Sequence, residues 1–336
     1  MKTIFLILSL IQLSAILPWQ DTLKENIQTI DDDFSGNIGV YIKDLDNGDV
    51  INHNADRSWY LASTIKIPLG IAILKQVEEG EISLDDTLVL RESDFVDGSG
   101  DLMYQKPGTE YTVLELLHRT IRESDSTATD MLIRLLGEER FNEIFTREIA
   151  GQDMGYITTI MQVRYDAYSE IHQNAENLST LDIVALKEYT PLTTRYNELL
   201  KLLAVDEPET KLESIPAAFE RYYERGLNSG SLQTMGTILE QLRDGEYLNS
   251  EHTELLIDIM KGVSTGDRRI KAGLPGETEW AHKTGTQIGR SCNIGIAYPQ
   301  NRDPVVIAAC AEKYTELREA EEAFQKVGRL VTENWF

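Results

Sequence analysis

The feature that most constrains the fold is that strand-like segments occur at both ends of the chain, with helical ones between them. Near the start, "SGNIGVYIKDLDNGDVINHN" predicts two strands around Asp46-Asn47-Gly48, a strong hairpin signal. Near the end, "EWAHKTGT", "CNIGIAY" and "PVVIAACAE" predict three more. From about Thr112 to Met260 apolar residues recur at helical spacing. We therefore predict an α+β fold: an antiparallel sheet formed from N- and C-terminal strands, with flanking helices and an inserted all-helical lobe over about residues 63–262.

Helices are also predicted next to the terminal strands. "DTLKENIQTIDDDF" places Leu23, Ile27 and Ile30 on one helical face, and "TELREAEEAFQKVGRLVTENWF" closes the chain. A further helix is predicted to begin near Ser63 and to end at Gly80. The sequence has no obvious repeats, low-complexity tracts or Pro/Gly-rich linkers, so we expect one mixed domain with two lobes over residues 20–336.

The N-terminus has the pattern of an export signal. One lysine precedes a mostly apolar run from Ile4 to Leu17, which is short for a membrane span but fits a secretory signal peptide. We predict a signal peptide over residues 1–17, a secreted or periplasmic protein, and no stable membrane span after signal removal. An uncleaved N-terminal anchor is the lesser alternative.

Composition and charge exclude several classes of partner and cofactor. The formal net charge of −24 disfavours binding to nucleic acid or anionic lipid. The five histidines show no H-E-x-x-H or Cys/His grouping, and no nucleotide-binding glycine loop is present. We expect no metal and no cofactor, and a monomer. "GVSTG", residues 262–266, matches a nucleophile elbow in letters only, because a helix is predicted before it where the elbow needs a strand.

The only two cysteines, Cys292 and Cys310, lie in neighbouring predicted strands. If "PQNRD" forms the hairpin loop, Cys292 falls opposite Cys310. A disulfide across neighbouring antiparallel strands is geometrically awkward, whereas an export signal favours one. A disulfide and two buried free thiols therefore both remain open.

Three short motifs carry possible chemistry. "ASTIK" places Ser63 three residues before Lys66, "RESDSTATDML" places Ser124 at a junction between helices, and "AHKTGTQ" places Lys283 on a strand. An amine beside a serine oxygen can take its proton and make it a nucleophile, provided that burial and a nearby cation lower the pKa of the amine. Each motif alone also has a structural explanation, namely helix capping or a solvated lysine.

In this order, S-x-x-K, S-D-S and K-T-G resemble the motifs of the class A β-lactamases and related penicillin-binding serine hydrolases. The resemblance covers roughly residues 35–165 and 226–330. It implies a β-lactamase-like fold and a hydrolase that acts on β-lactam amide bonds through an acyl-enzyme on Ser63. The alternatives are a D,D-peptidase that acts on D-alanyl peptides, or a β-lactam or peptidoglycan sensor that acylates once without turnover.

The resemblance also implies roles for individual residues. Ser63 would be the nucleophile and Lys66 its base, Ser124 would relay a proton to the leaving nitrogen, and Lys283 would orient Ser124 and attract a substrate carboxylate. The remaining substrate-binding candidates are Ser126, Thr284, Gly285, Thr286 and Arg269. Among these, the amide of Thr286 would form an oxyanion hole with that of Ser63, Gly285 would give a ligand room to approach, and Arg269 would support the carboxylate.

The chain departs from the family in two places. Ser126 stands where the second motif usually ends in asparagine, and it is too short to make the same two contacts. The E-x-x-L-N run that supplies the deacylating glutamate is absent. Asp166 and Glu170 are the nearest candidates for the deacylation base, although we favour the alternative that both are solvated helix charges. An insertion of about residues 175–225 follows them.

Overall fold

The computed structural model describes residues 18–206 and 209–336, so the predicted signal peptide lies outside the described residues. The strands are β1 (Asn37–Asp44), β2 (Val50–His53), β3 (Ser58–Tyr60), β4 (Thr87–Val89), β5 (Glu110–Thr112), β6 (Ser229–Ser231), β7 (Glu279–Gln287), β8 (Arg290–Tyr298) and β9 (Val305–Glu312). The helices are α1 (Pro18–Asp32), α2 (Lys66–Glu78), α3 (Val113–His118), α4 (Ser126–Leu136), α5 (Glu138–Ile144), α6 (Ile160–Ser169), α7 (Thr180–Leu186), α8 (Leu192–Leu203), α9 (Ile215–Tyr223), α10 (Leu232–Arg243), α11 (Ser250–Lys261) and α12 (Leu317–Trp335).

The main sheet joins the two ends of the chain, as predicted. Its strand order is β2-β1-β9-β8-β7, and every neighbouring pair is antiparallel. N-terminal β1 pairs with C-terminal β9 along its whole length, from Asn37↔Glu312 to Asp44↔Val305. One face of the sheet packs against α1 and α12, and the other packs against the helical lobe. Because both faces are covered, β9 is apolar from Val305 to Ala311 rather than alternating.

Cys292 and Cys310 lie directly opposite each other in the β8–β9 pair, and they form a disulfide bond. Of the two alternatives that the sequence left open, the structure has the bond. The predicted register of this hairpin is confirmed.

The lobe between the terminal strands is not entirely helical, contrary to the prediction. Strands β4 and β5 pair with each other, and β6 pairs with β3. Each of these strands has only three residues. A segment this short cannot display a two-residue alternation, so the helical periodicity of its surroundings concealed it.

The insertion of residues 175–225, in all its described residues (all but 207 and 208), folds onto helix α6. Helices α7, α8 and α9 lie within it, and their apolar faces form a hydrophobic cluster with Val163, Ala167 and Tyr168 of α6. Tyr60 of β3 and Val96 also belong to this cluster, which attaches the insertion to the rest of the lobe. No helix in the described part of the chain is both long and apolar enough to cross a membrane.

Candidate active site

Ser63 lies in a short 3-10 turn, Ala62–Ile65, directly before α2 rather than within that helix. The preceding residue, Ala62, has a φ of +48°, which is a strained conformation for a residue with a side chain. Strand β7 packs closely against this turn at Gly285. A Cβ at that position would lie 2.5 Å from the Leu61 carbonyl oxygen and 3.1 Å from the Ser63 amide nitrogen. The room that Gly285 provides is therefore taken by the backbone before Ser63, which brings the serine amide against β7.

Lys66 and Ser124 meet in the interior. Lys66 Nζ donates hydrogen bonds to the carbonyl oxygen of Ser124 at 2.6 Å and to its hydroxyl at 3.2 Å. Ser124 has a φ of +59° between a single π-turn and α4, so its backbone projects toward the lysine. Ser99 Oγ donates to the same carbonyl at 2.6 Å. The helix cap at this junction is Asp125, whose carboxylate accepts from the Ala128 amide, and Ser124 is thereby left for the site.

Burial lowers the pKa of Lys66 to about 7, because the fully enclosed ammonium loses its hydration. That value includes the effects of the Asp125 and Asp130 carboxylates, which raise the pKa of Lys66, and of the Arg164 charge, which lowers it. The cation whose charge lowers the pKa of Lys66 is Arg164, and the interaction between Lys66 and Lys283 lowers the pKa of Lys283 instead. Near neutral pH a substantial fraction of Lys66 is uncharged and can accept a proton.

Lys283 is also fully buried, on β7. Burial holds its pKa well below the usual lysine value, and the charges of Lys66 and Arg269 lower it further. Its ammonium donates to the carbonyl oxygen of Thr284 at 3.0 Å. The expected orientation of Ser124 is thus provided by Lys66 in this structure, while Lys283 bonds the backbone of its own strand.

Arg269 supports β7 from the side. Its guanidinium donates to the carbonyl oxygens of Gly285 at 2.9 Å and Cys292 at 2.7 Å, and to the Thr286 hydroxyl at 2.6 Å. Thr284 Oγ1 shares a 2.6 Å hydrogen bond with Thr265 Oγ1. Arg269 therefore fixes the backbone and the hydroxyl of the residues that follow Lys283.

A cleft at the junction of the sheet and the helical lobe brings several of these residues together. Ser63, Ser126 and Thr286 line it, with Asn228 and Thr158 as further polar groups. The wall contributed by α6 consists of Ile160, Val163 and Arg164. Apart from Arg164, which is tied to Asp97 at 2.5 Å, the α6 side of the cleft is apolar.

Asp166 and Glu170 are engaged elsewhere. Glu170 pairs with Arg225 through two hydrogen bonds, and Asp166 lies 3.4 Å from the same guanidinium and accepts from Gln162 at 3.0 Å. Both carboxylates belong to a contact between α6 and the segment after α9, rather than to the lining of the cleft. The structure does not bring either of them to Ser63.

Two residues in the site were missed from the sequence. Asp130 accepts hydrogen bonds from the amides of Ile160 at 2.7 Å and Met161 at 2.9 Å, and burial raises its pKa to about 7. Asn228 bonds Thr158 and the Tyr222 hydroxyl on the cleft floor. The four-residue spacing from Ser126 to Asp130 puts both on one face of α4, and this was the available signal for Asp130. Asn228 had none.

Two other features lie near the site. His282 is buried and stacks on Trp280 at 5.4 Å, and burial lowers its pKa to about 3, so it is a neutral packing residue. Helix α11 precedes the "GVSTG" segment, and Ser264 donates to the carbonyl oxygen of Arg122. The elbow interpretation was rightly rejected.

Known proteins resemble this chain over most of its length. Beta-lactamase 3 of Bacillus cereus is 27% identical over 282 residues, which cover 83% of this chain and 70% of the relative. A solved structure of a PBP-A variant, an acyl-enzyme complex with penicillin G, superimposes with a TM-score of 0.70 at 24% identity, covering 93% of this chain and 96% of that one. An ancestral class A β-lactamase superimposes with a TM-score of 0.69 at 22% identity, covering 93% and 100%.

The fold, and the antiparallel sheet predicted from the terminal strands, are thus those of the class A β-lactamases and PBP-A. The model of the Beta-lactamase enzyme family matches residues 22–335. Since that match runs from the first helix to the last, the chain belongs to the β-lactamase enzyme family and is a β-lactamase-like serine hydrolase.

Proposed function

We propose that this protein opens the amide bond of β-lactams by transferring their acyl group to Ser63. The observation that carries the proposal is that a buried Lys66, with a pKa of about 7, donates to Ser124 behind the cleft that Ser63 lines. A neutral amine three residues after a serine, next to a second hydroxyl, is the arrangement that nucleophilic catalysis requires.

The acylation step follows from this arrangement. Ser63 Oγ attacks the carbonyl carbon while its proton passes to Lys66. The carbon–nitrogen bond then breaks, and the proton reaches the leaving nitrogen from Lys66 through the Ser124 hydroxyl. The amides of Ser63 and Thr286 stabilise the oxyanion that forms in between, since Gly285 allows the two backbones to approach each other.

Substrate binding rests on charge behind β7. Arg269 supplies positive charge to attract a substrate carboxylate, Lys283 adds to that charge when it is protonated, and the hydroxyls of Thr284 and Thr286 bond the carboxylate. Arg269 acts through Thr286, whose hydroxyl it holds. Ser126 on the opposite side of the cleft contacts the substrate amide.

A second candidate function, penicillin binding with D,D-peptidase activity, is favoured by one observation. The α6 wall next to Ser63 carries Ile160 and Val163, and the carboxylates of Asp166 and Glu170 are held by Arg225. A water near the ester would then lack the base that these two carboxylates were expected to supply, and the acyl-enzyme would persist. Turnover of this enzyme is accordingly expected to be limited by deacylation.

We further propose that the protein acts as an exported monomer. The apolar N-terminal run supports export, and the Cys292–Cys310 bond suits an oxidising compartment. Residues 20–336 form the enzyme domain in this proposal, with the insertion as part of its helical lobe.

The test combines a chromogenic cephalosporin with a fluorescent penicillin. Steady hydrolysis supports the β-lactamase, whereas a stoichiometric label on Ser63 that decays slowly supports the penicillin-binding function. Neither label nor hydrolysis, with Ser63→Ala indistinguishable from the wild type, would overturn the proposal.

Deacylation is tested by Asp166→Asn and Glu170→Gln, which we expect to change the rate of label loss less than about twofold because neither carboxylate lines the cleft. A loss of about a hundredfold or more in either variant would instead identify that residue as the deacylation base.

A further inference from the structure

The insertion contacts both sides of the Ser63 cleft. We call residues 175–225 the strap. On one side, Lys187 Nζ donates to the Gly98 carbonyl oxygen at 2.8 Å and lies 5.5 Å from the centre of the Tyr104 ring. Gly98 itself lines the cleft. The backbone of Lys187 is in turn fixed by Arg195 of α8, which donates to its carbonyl oxygen at 2.9 Å.

The other end of the strap holds the β7–β8 turn. Glu220 of α9 forms a two-point ion pair with Arg290, with both distances 2.8 Å. The Tyr223 hydroxyl donates to the Ile288 carbonyl oxygen at 2.9 Å. Thr286 and Gln287, directly before this turn, line the cleft opposite Gly98. Both walls are therefore attached to the same segment of the chain.

The contact at Gly98 accounts for the missing asparagine of the second motif. Gly98 has a φ of +145°, and a Cβ on it would lie 2.3 Å from Ser126 Oγ. The turn that Lys187 holds is thus packed directly onto the Ser126 side chain. An asparagine at this position would place two more heavy atoms where the serine hydroxyl ends, so the short residue and the close turn belong together.

We propose that the strap fixes the width of the Ser63 cleft from both sides, and that Lys187 is a positioning residue that makes the enzyme selective for β-lactams with a small side chain beside the scissile amide. The cleft encloses about 80 Å³, well below the volume of pockets that hold drug-sized ligands. A bulky side chain therefore has to displace the Gly98 turn. This inference rests on the proposed acylation of Ser63.

The experiment compares two penicillins that share one ring system. 6-Aminopenicillanic acid carries a bare amine, and nafcillin carries an ethoxynaphthyl amide. Lys187→Met keeps the length of the side chain and removes the ammonium. The matched control is Lys201→Met on α8, in the same strap, where the lysine is exposed and pairs only with its neighbour Glu198 among the described ion pairs.

The expected result is a change in selectivity rather than in overall rate. The measured quantity is the acylation rate constant for nafcillin divided by that for 6-aminopenicillanic acid. Because Lys187→Met loses a hydrogen bond from a charged group, this ratio should rise roughly tenfold in the variant. Lys201→Met should change the ratio less than about twofold. Tyr223→Phe, which releases the other wall, should raise it in the same direction, and it decides the matter if Lys187→Met does not fold.

Hydrogen exchange separates failure of the strap from failure of the proposed function. Amide exchange at residues 98–102 should increase in Lys187→Met and not in Lys201→Met, whether or not the enzyme acylates. If the wild type is acylated by both penicillins but the variants leave the ratio unchanged, the selectivity proposal is overturned and the proposed function stands. If neither penicillin acylates the wild type, the proposed function fails. If amide exchange at residues 98–102 is then also the same in Lys187→Met and the wild type, the proposal that the strap holds the Gly98 turn is overturned as well.

Discussion

Two fully buried lysines are the most unusual residues of this protein. Lys66 and Lys283 are both fully enclosed, and the charge of Lys66 lowers the pKa of Lys283. An ammonium removed from water loses more solvation than one or two hydrogen bonds restore, so such a pair reduces stability. Strongly shifted lysines gathered behind a cleft are typical of functional sites rather than of structural cores.

The first prediction concerns the pH dependence of acylation. Lys66 must be neutral to take the Ser63 proton, and burial lowers its pKa to about 7. The acylation rate should therefore be constant above this pH and should fall about tenfold per unit below it, as the amine becomes protonated. Stopped-flow labelling with the fluorescent penicillin between about pH 5 and about pH 9 measures the profile.

Asp130 provides the control, because burial raises its pKa to about 7 as well. Its negative charge raises the pKa of Lys66. Asp130→Asn should therefore move the midpoint of the acylation pH profile to lower pH, while the fall in rate at acidic pH remains. If the fall in rate at acidic pH disappears in this variant, the titration belongs to Asp130, and the role of Lys66 is contradicted.

Among the secondary-structure elements, the long ones were predictable and the short ones were not. The sheet from both termini, α1, α12 and the Cys292–Cys310 register all follow from periodicity over many residues. Strands β4, β5 and β6 depend on tertiary pairing, and three residues carry too little pattern to reveal it.

The site divides in the same way. Ser63, Lys66, Ser124 and Lys283 were found because fixed local spacings mark them. The pairing of Arg164 with Asp97 and that of Arg225 with Glu170 join residues far apart in sequence, and so does the contact of Lys187 with Gly98. Only the fold reveals such contacts, and they decide which carboxylates face the cleft.

The prediction at the scale of elements concerns the β8–β9 hairpin. Its disulfide closes a loop with a sequence separation of 18 residues. A cross-link over a loop of this size stabilises by about 3 kcal/mol, mainly by restricting the unfolded chain. The double variant Cys292→Ala/Cys310→Ala should lose about this much in urea unfolding, and reduction of the wild type should have the same effect.

Acylation should survive in the double variant, because Arg269 bonds the carbonyl oxygen of Cys292 and not its side chain. Equal unfolding free energies for the oxidised wild type and the double variant would contradict the prediction. Thiol titration of the unfolded protein verifies that the bond was present.

At the scale of the whole molecule, the cleft is a small positive site in a strongly negative protein. The net charge is −24, whereas Arg269 is buried against β7 and Arg164 lines the cleft. The negative net charge therefore repels an anionic substrate at long range, and the positive groups of the cleft attract it once it is bound there. Salt affects these two effects unequally, since it screens exposed charges over about 8–10 Å and buried ones much less.

Raising the ionic strength from about 10 mM to about 300 mM should therefore increase kcat/KM for an anionic penicillin, by roughly twofold or more, because the long-range repulsion is removed while the buried Arg164 and Arg269 continue to act. A zwitterionic penicillin with no net charge is the matched control, and its kcat/KM should change little. A decrease for the anionic substrate would mean that the positive charge of the cleft extends into solvent and steers substrates despite the acidic surface. Stopped-flow acylation at several substrate concentrations shows whether salt acts on the encounter with substrate or on a later step. A change in encounter alters the second-order rate constant and leaves the saturating rate unchanged.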